Sequence, residues 1–217
     1  MLEQIDAVIF DLDGTLADSM DVWVKIDRKF FADRQMPYPE DLNKAIEGMS
    51  FLETAEYFEK TYDIPETAGE LMELWTRQAI DQYAGHVELK PGAREFLEFL
   101  SKRKIRVGIA TSNSRELLTI FLHAKNLDPL IRASVTSEDV VHGKPDPEFY
   151  LKAAKLLGVS PERCLVFEDI PNGILAGKNA GMMVCAVEDS FSAALTEEKR
   201  RLADYYICDY YELLNLK

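Results

Sequence analysis

Asp6-Ala7-Val8-Ile9-Phe10-Asp11-Leu12-Asp13-Gly14-Thr15 is the stretch on which the fold turns. Its apolar first half, with β-branched Val8 and Ile9, predicts a buried parallel strand. Its second half places two carboxylates, Asp11 and Asp13, where that strand ends, and Gly14 lets the chain turn sharply beyond them. In open α/β sheets, ligands bind at the carboxyl ends of the strands. An ordinary Asp-Gly turn accounts for one acid and the glycine. It leaves the second acid unexplained, because like charges this close are costly unless a metal or unequal protonation relieves them. Asp11 and Asp13 are therefore candidate functional residues.

From Pro91 onward, apolar strand-like runs at 105–111, 133–136, 164–167, 182–187 and 205–207 alternate with helical segments. That alternation predicts an α/β fold, a Rossmann-like parallel sheet with helices on both faces, to which the first strand also belongs. Between Thr15 and about residue 86 the periodicity is helical. Val22, Ile26, Phe30 and Phe31 form one apolar stripe, and Leu52, Ala55, Tyr57 and Phe58 another. Residues 17–87 are thus expected to be an all-helical cap domain inserted into a catalytic core made of 1–16 and 88–217. Hinges are expected near 16–18 and 85–90, with Gly85 as the pivot. A helical insert so placed is positioned to cover the strand ends.

The composition narrows the function classes. A net charge of −13 argues against a nucleic-acid-binding surface. No apolar run approaches the ~20 residues needed to cross a membrane. The first residues enter a strand at once, without the basic and then apolar pattern of a signal peptide. Cys164, Cys185 and Cys208 are widely spaced in apolar segments and read as buried thiols in a reducing compartment. The expectation is a cytoplasmic protein, and nothing demands more than a monomer.

Three further segments carry chemistry. Val107-Gly108-Ile109-Ala110-Thr111-Ser112-Asn113 is a strand ending in small hydroxyl residues. His142-Gly143-Lys144-Pro145-Asp146-Pro147 presents a lysine, stiffened by two prolines, ahead of a helix. Leu165-Val166-Phe167-Glu168-Asp169 ends another strand in paired acids, followed by Pro171-Asn172-Gly173. Alone, Lys144 reads as a surface lysine, Thr111 as a helix N-cap and Glu168-Asp169 as a helix-start acid pair. In order behind Asp11 and Asp13, the set resembles the four motifs of the haloacid dehalogenase superfamily, over residues 6 to about 189.

The resemblance implies a phosphatase. Asp11 would be the nucleophile, forming an aspartyl-phosphate, and Asp13 the acid that protonates the leaving oxygen and then the base that activates water. Lys144, Thr111 and Ser112 would hold the phosphoryl oxygens. A hard, oxygen-ligated cation, Mg²⁺, would be held by the Asp11 side chain, the Asp13 backbone carbonyl, Asp169, and Glu168 directly or through water. The partner would be a small phosphorylated metabolite, a sugar phosphate or a nucleoside monophosphate.

Cap position and motif spelling most resemble the β-phosphoglucomutase-like branch, with informative departures. Such mutases carry a histidine about ten residues after the second aspartate, where this chain has Trp23. They also carry a lysine and an arginine flanking the glycine of the cap loop, where Glu47 and Phe51 flank Gly48 in Glu47-Gly48-Met49-Ser50-Phe51. A second phosphate needs cations, so mutase activity loses its main support and hydrolysis is expected. A sugar phosphomutase and a catalytically silent binding protein on the same scaffold are the rival readings. Dehalogenation is disfavoured, since Asp13 and the metal-binding acids suit phosphoryl transfer. Trp23 and Phe51 either stack on a substrate ring or pack the cap core.

Overall fold

A computed structural model describes residues 2–214. In chain order the elements begin with strands β1 (Ala7–Phe10) and β2 (Ala17–Asp18). Four helices follow: α1 (Met20–Asp33), α2 (Leu42–Ile46), α3 (Phe51–Thr61) and α4 (Ala68–Gly85). Next come β3 (Glu88–Leu89), α5 (Ala93–Lys102), β4 (Arg106–Ala110), α6 (Arg115–Ala124) and β5 (Ala133–Val135). The chain then runs through α7 (Glu148–Leu157), β6 (Cys164–Glu168), α8 (Pro171–Asn179), β7 (Met183–Val187), α9 (Thr196–Leu202), β8 (Tyr205–Ile207) and α10 (Tyr211–Leu214).

Six strands form one sheet in the order β5-β4-β1-β6-β7-β8, and every pairing in it is parallel. The alternation of β1 explains its central place. Val8 and Phe10 face one apolar cluster, and Ala7 and Ile9 face the other, all of them fully buried. Phe10 stacks on Phe167 of β6, with ring centroids 5.0 Å apart. Phe10 pairs with Ile109 and with Phe167, so three adjacent strands end at nearly one level. The residues that follow, Asp11, Thr111 and Glu168, gather there.

The helical cap lies between β1 and β4. Capping boxes start two of its helices, Ser50 with Glu53 on α3 and Thr67 with Glu70 on α4. Val22, Ile26, Phe30 and Phe31 are buried on α1, as their spacing predicts. On α3 the buried face is Phe51, Ala55 and Phe58, while Leu52 is exposed. The Ser50 cap makes Phe51 the first helical residue, which moves the stripe one position from the predicted one. The expectation of an all-helical segment over 17–87 also needs amending at its start, because Ala17–Asp18 form β2 and pair antiparallel with β3. Gly85 is the last residue of α4, with no φ in the left-handed region and no atom within 4 Å of where a Cβ would stand.

Cys164 and Cys185 are buried, but Cys208 is exposed. It follows β8, the edge strand, where the apolar run leaves the sheet. Among the described residues, no helix is long and apolar enough to cross a membrane.

Candidate active site

Asp11 follows β1 directly, and its backbone N–H donates to Phe167 O at 3.0 Å, extending the sheet by one bond. Its side chain is buried, as are Glu168 and Asp169 at the end of β6. Gly14 then turns the chain with φ +82°, and a Cβ there would lie 2.4 Å from Asp169 Oδ2. Glycine therefore serves both the turn and the close approach of the two acidic strand ends.

Lys144 is buried between these acids. Its Nζ donates to Asp11 Oδ1 at 2.6 Å and also to Glu168 Oε1. Tyr150 of α7 donates its hydroxyl to the same Glu168 Oε1 at 2.6 Å. Burial disfavours the Lys144 charge, but Asp11 and Glu168 outweigh it and hold the ammonium above its ordinary range. Lys144 on a solvated surface is thus not what the fold produces.

The carboxylates feel the opposite pressure. Burial pushes Asp11 up to about 7, against the pull of Lys144, with Glu168 and Asp13 adding to the rise. Burial, then Glu168 and Asp11, push Asp169 well above the usual carboxylate range. Carboxylate oxygens of Asp11, Glu168 and Asp169 all lie within 4.8 Å of one another. When ionised, three acids against one lysine leave a net charge of −2 in a buried space. A dication of the oxygen-ligated kind fits that donor set and that deficit.

Asp13 stands apart, reached from the cap. It accepts from Ser19 Oγ at 2.5 Å, from Asn113 Nδ2 at 3.0 Å and from the Tyr83 hydroxyl. Tyr83, fully buried on α4, in turn accepts from Trp23 Nε1 at 2.9 Å and from Asn113 Nδ2 at 3.0 Å.

Thr111 is buried and its Oγ1 accepts from Asn113 N at 3.1 Å. It is not the helix cap, a task that Ser114 performs for α6. Ser112 carries the nearest backbone link to the cap, its carbonyl accepting from Phe51 N at 3.1 Å. The cap loop also rests on the core at Asn172, whose Nδ2 donates to Glu47 O at 2.9 Å and whose N–H donates to Glu47 Oε1 at 3.4 Å. Gly48, with φ +81°, passes so close that a Cβ would meet Lys144 O at 2.6 Å.

Between cap and core lies a cavity of about 210 Å³, bordered by Asp13, Ser112 and Asn113 below and by Trp23, Glu47 and Phe51 above. Trp23 and Phe51 pack edge to face, with centroids 5.9 Å apart, so they are at once cap core and cavity wall.

Among the contributors that sequence reasoning missed are Tyr83, Tyr150, Asn172 and Lys199. Asn172 reads in the sequence as turn geometry only. Lys199 is fully buried and donates to Ser192 Oγ at 2.8 Å, and Ser192 Oγ donates to Asp169 O at 2.8 Å. Each of the four is a single residue on a helix. Three depend on partners 18 or more residues away, and Lys199 acts through a step of seven residues to Ser192. Position along the chain carries no signal for them.

The haloacid dehalogenase-like hydrolase family model matches residues 8–187. A phosphorylated carbohydrates phosphatase of Thermotoga maritima is 31% identical over 178 residues, covering 82% of this chain and 82% of the relative. A β-phosphoglucomutase of Bacillus subtilis is 33% identical over 189 residues, covering 83% of this chain and 82% of the relative. Among solved structures, CbbY from Rhodobacter sphaeroides, a mutant in complex with xylulose 1,5-bisphosphate, superimposes with a TM-score of 0.85. It is 23% identical, covers 96% of each chain, and so speaks to the fold. With the family model spanning most of its length and these relatives alongside, the chain belongs to the haloacid dehalogenase-like hydrolases, in their β-phosphoglucomutase-like branch with a helical cap.

Proposed function

We propose that this protein is a Mg²⁺-dependent phosphatase that hydrolyses a small phosphorylated metabolite through an aspartyl-phosphate. The observation that carries the reading is Lys144, buried and bonded to both Asp11 and Glu168 at the strand ends. A buried ammonium among three acids supplies positive charge where phosphoryl oxygens would sit, and leaves room for a dication. The phosphatase name of the Thermotoga relative points the same way.

With Lys144 bonded to Asp11 Oδ1, the other carboxylate oxygen of Asp11 attacks phosphorus. The ester P–O bond breaks, and the leaving oxygen takes its proton from Asp13. Water then attacks the phosphorus of the aspartyl-phosphate and gives its proton to Asp13. The bond to Asp11 breaks, and inorganic phosphate leaves. Thr111 and Ser112 steady the phosphoryl oxygens meanwhile. Asp11, the Asp13 backbone carbonyl, Glu168 and Asp169 would hold the cation, which supplies charge neutralisation for attack by a carboxylate on a dianion.

Mutase turnover is disfavoured by what surrounds the cavity. Trp23, Glu47 and Phe51 border it, and no Lys, Arg or His does so among the described residues. The test is glucose 1-phosphate with Mg²⁺ and a trace of glucose 1,6-bisphosphate, with glucose 6-phosphate and free phosphate followed separately. Phosphate release across a panel of sugar phosphates, without isomerisation, is expected. Rapid isomerisation with little phosphate released would restore the mutase.

A further inference from the structure

The cavity above Asp13 has a chemical character of its own. Its aromatic wall is Trp23, Phe51 and Trp75, and its carboxylates are Asp13, Asp27 and Glu47. Asp13 is held by Ser19, Asn113 and Tyr83, and Glu47 by Asn172. Asp27, on α1, makes no hydrogen bond or ion pair among the described residues. It is half-buried, and that burial lifts its carboxyl to about 7. A carboxylate held partly out of water at an aromatic wall without a bonded partner is costly, and proteins normally supply one.

Asp27 calls for a cation or a strong donor, and three aromatic rings bordering the same cavity favour an organic ammonium. An anionic second group is ruled out on charge, since the cavity already carries three carboxylates and no basic side chain lines it among the described residues. The volume of about 210 Å³ suits a single ring. Because the cavity borders Asp13, the group assigned to the leaving oxygen, its occupant is the alcohol half of the substrate.

We infer that the substrate is a phosphate monoester of an amino sugar, with the ammonium set against Asp27 inside the aromatic wall. The inference rests on the phosphatase reading and narrows it to a substrate class.

Matched pairs test it: glucosamine 6-phosphate against glucose 6-phosphate, glucosamine 1-phosphate against glucose 1-phosphate, and galactosamine 1-phosphate against galactose 1-phosphate. In at least one pair the aminated member should show kcat/KM about tenfold or more above its neutral partner. Asp27→Asn should bring that ratio close to one. Calorimetric binding of the same pairs to Asp11→Asn protein gives a readout that needs no turnover, and the same preference is expected there. Neutral members equal to or better than aminated ones in every pair, in turnover and in binding, would overturn the inference. Hydrolysis of p-nitrophenyl phosphate by the wild type is scored separately. Its failure would remove the phosphatase reading, while the binding comparison would still decide the amine preference.

Discussion

The Tyr83 hydroxyl donates to the Asp13 carboxylate, joining the fourth cap helix to the residue assigned to proton transfer. Burial, and then the Asp13 charge, raise the Tyr83 phenol well above its ordinary range, so it stays a donor at any working pH. Tyr83→Phe removes this bond and leaves Trp23 Nε1 without its acceptor. A hydrogen bond to a charged group contributes roughly 1.5–3 kcal/mol. Turnover of alkyl phosphates should fall at least about tenfold, with a smaller effect on p-nitrophenyl phosphate, whose leaving group needs no proton. Equal losses on both substrates would show that Tyr83 supports the fold and not Asp13.

Asp11→Asn keeps the side-chain volume but loses the nucleophile. Phosphate release should drop by on the order of 10³ or more, with unchanged circular dichroism. Substantial residual turnover would speak against a covalent intermediate.

Asp13→Asn should separate the two half-reactions. With p-nitrophenyl phosphate the first P–O bond still breaks, but the attacking water lacks its base, so phosphoenzyme should accumulate in rapid-quench experiments. A wild-type steady-state rate for this variant would refute the assignment of Asp13 as base.

Cation binding should appear as stability. A ligand at a hundred times its Kd stabilises the folded state by about 2.7 kcal/mol. Mg²⁺ added to chelator-treated protein should raise Tm, and Asp169→Asn should abolish that rise. An identical rise in the variant would place the ion elsewhere.

Asp27 offers a test in pH. Burial lifts its carboxyl from an ordinary 3.8 to about 7 in the folded protein. The folded state therefore holds the extra proton between those values. Stability from this group is fully present below about 4 and is lost as pH rises through about 7. Asp27→Asn should gain on the wild type across that window by on the order of a few kcal/mol, and the gain should level off above it. Urea denaturation between pH 5 and 8 measures it. A difference that does not vary with pH would show that Asp27 is as well solvated folded as unfolded.

Much of this architecture was legible in the residues, and the reasons are physical. Ala7–Phe10 and Cys164–Glu168 are buried on both faces, so their apolar runs are continuous and end sharply at acids. That made Asp11 visible; Lys144, Glu168 and Asp169, ordinary when read alone, stood out only as an ordered set behind it. The cap was readable as helix, but its registration was not, because a Ser50 side chain decided whether Phe51 or Leu52 begins the buried stripe. Two-residue strands such as Ala17–Asp18 are too short to have a period. Tyr83, Asn172 and Lys199 acquire meaning only through partners brought near by folding.

The short ribbon of β2 and β3 has a consequence for the architecture as a whole. Ala17 pairs with Leu89 and Asp18 with Glu88, and Lys90 N donates to Leu16 O at 2.9 Å. The chain thus leaves the sheet and returns to it through neighbouring strands, spaced roughly 4.8 Å apart as in any ladder. Everything between them is an insert that enters and leaves through this ribbon, and its length and content are invisible to the strand order below. Such an insert can be exchanged for another over evolutionary time, altering what borders the cavity while the acids and lysine beneath keep their places.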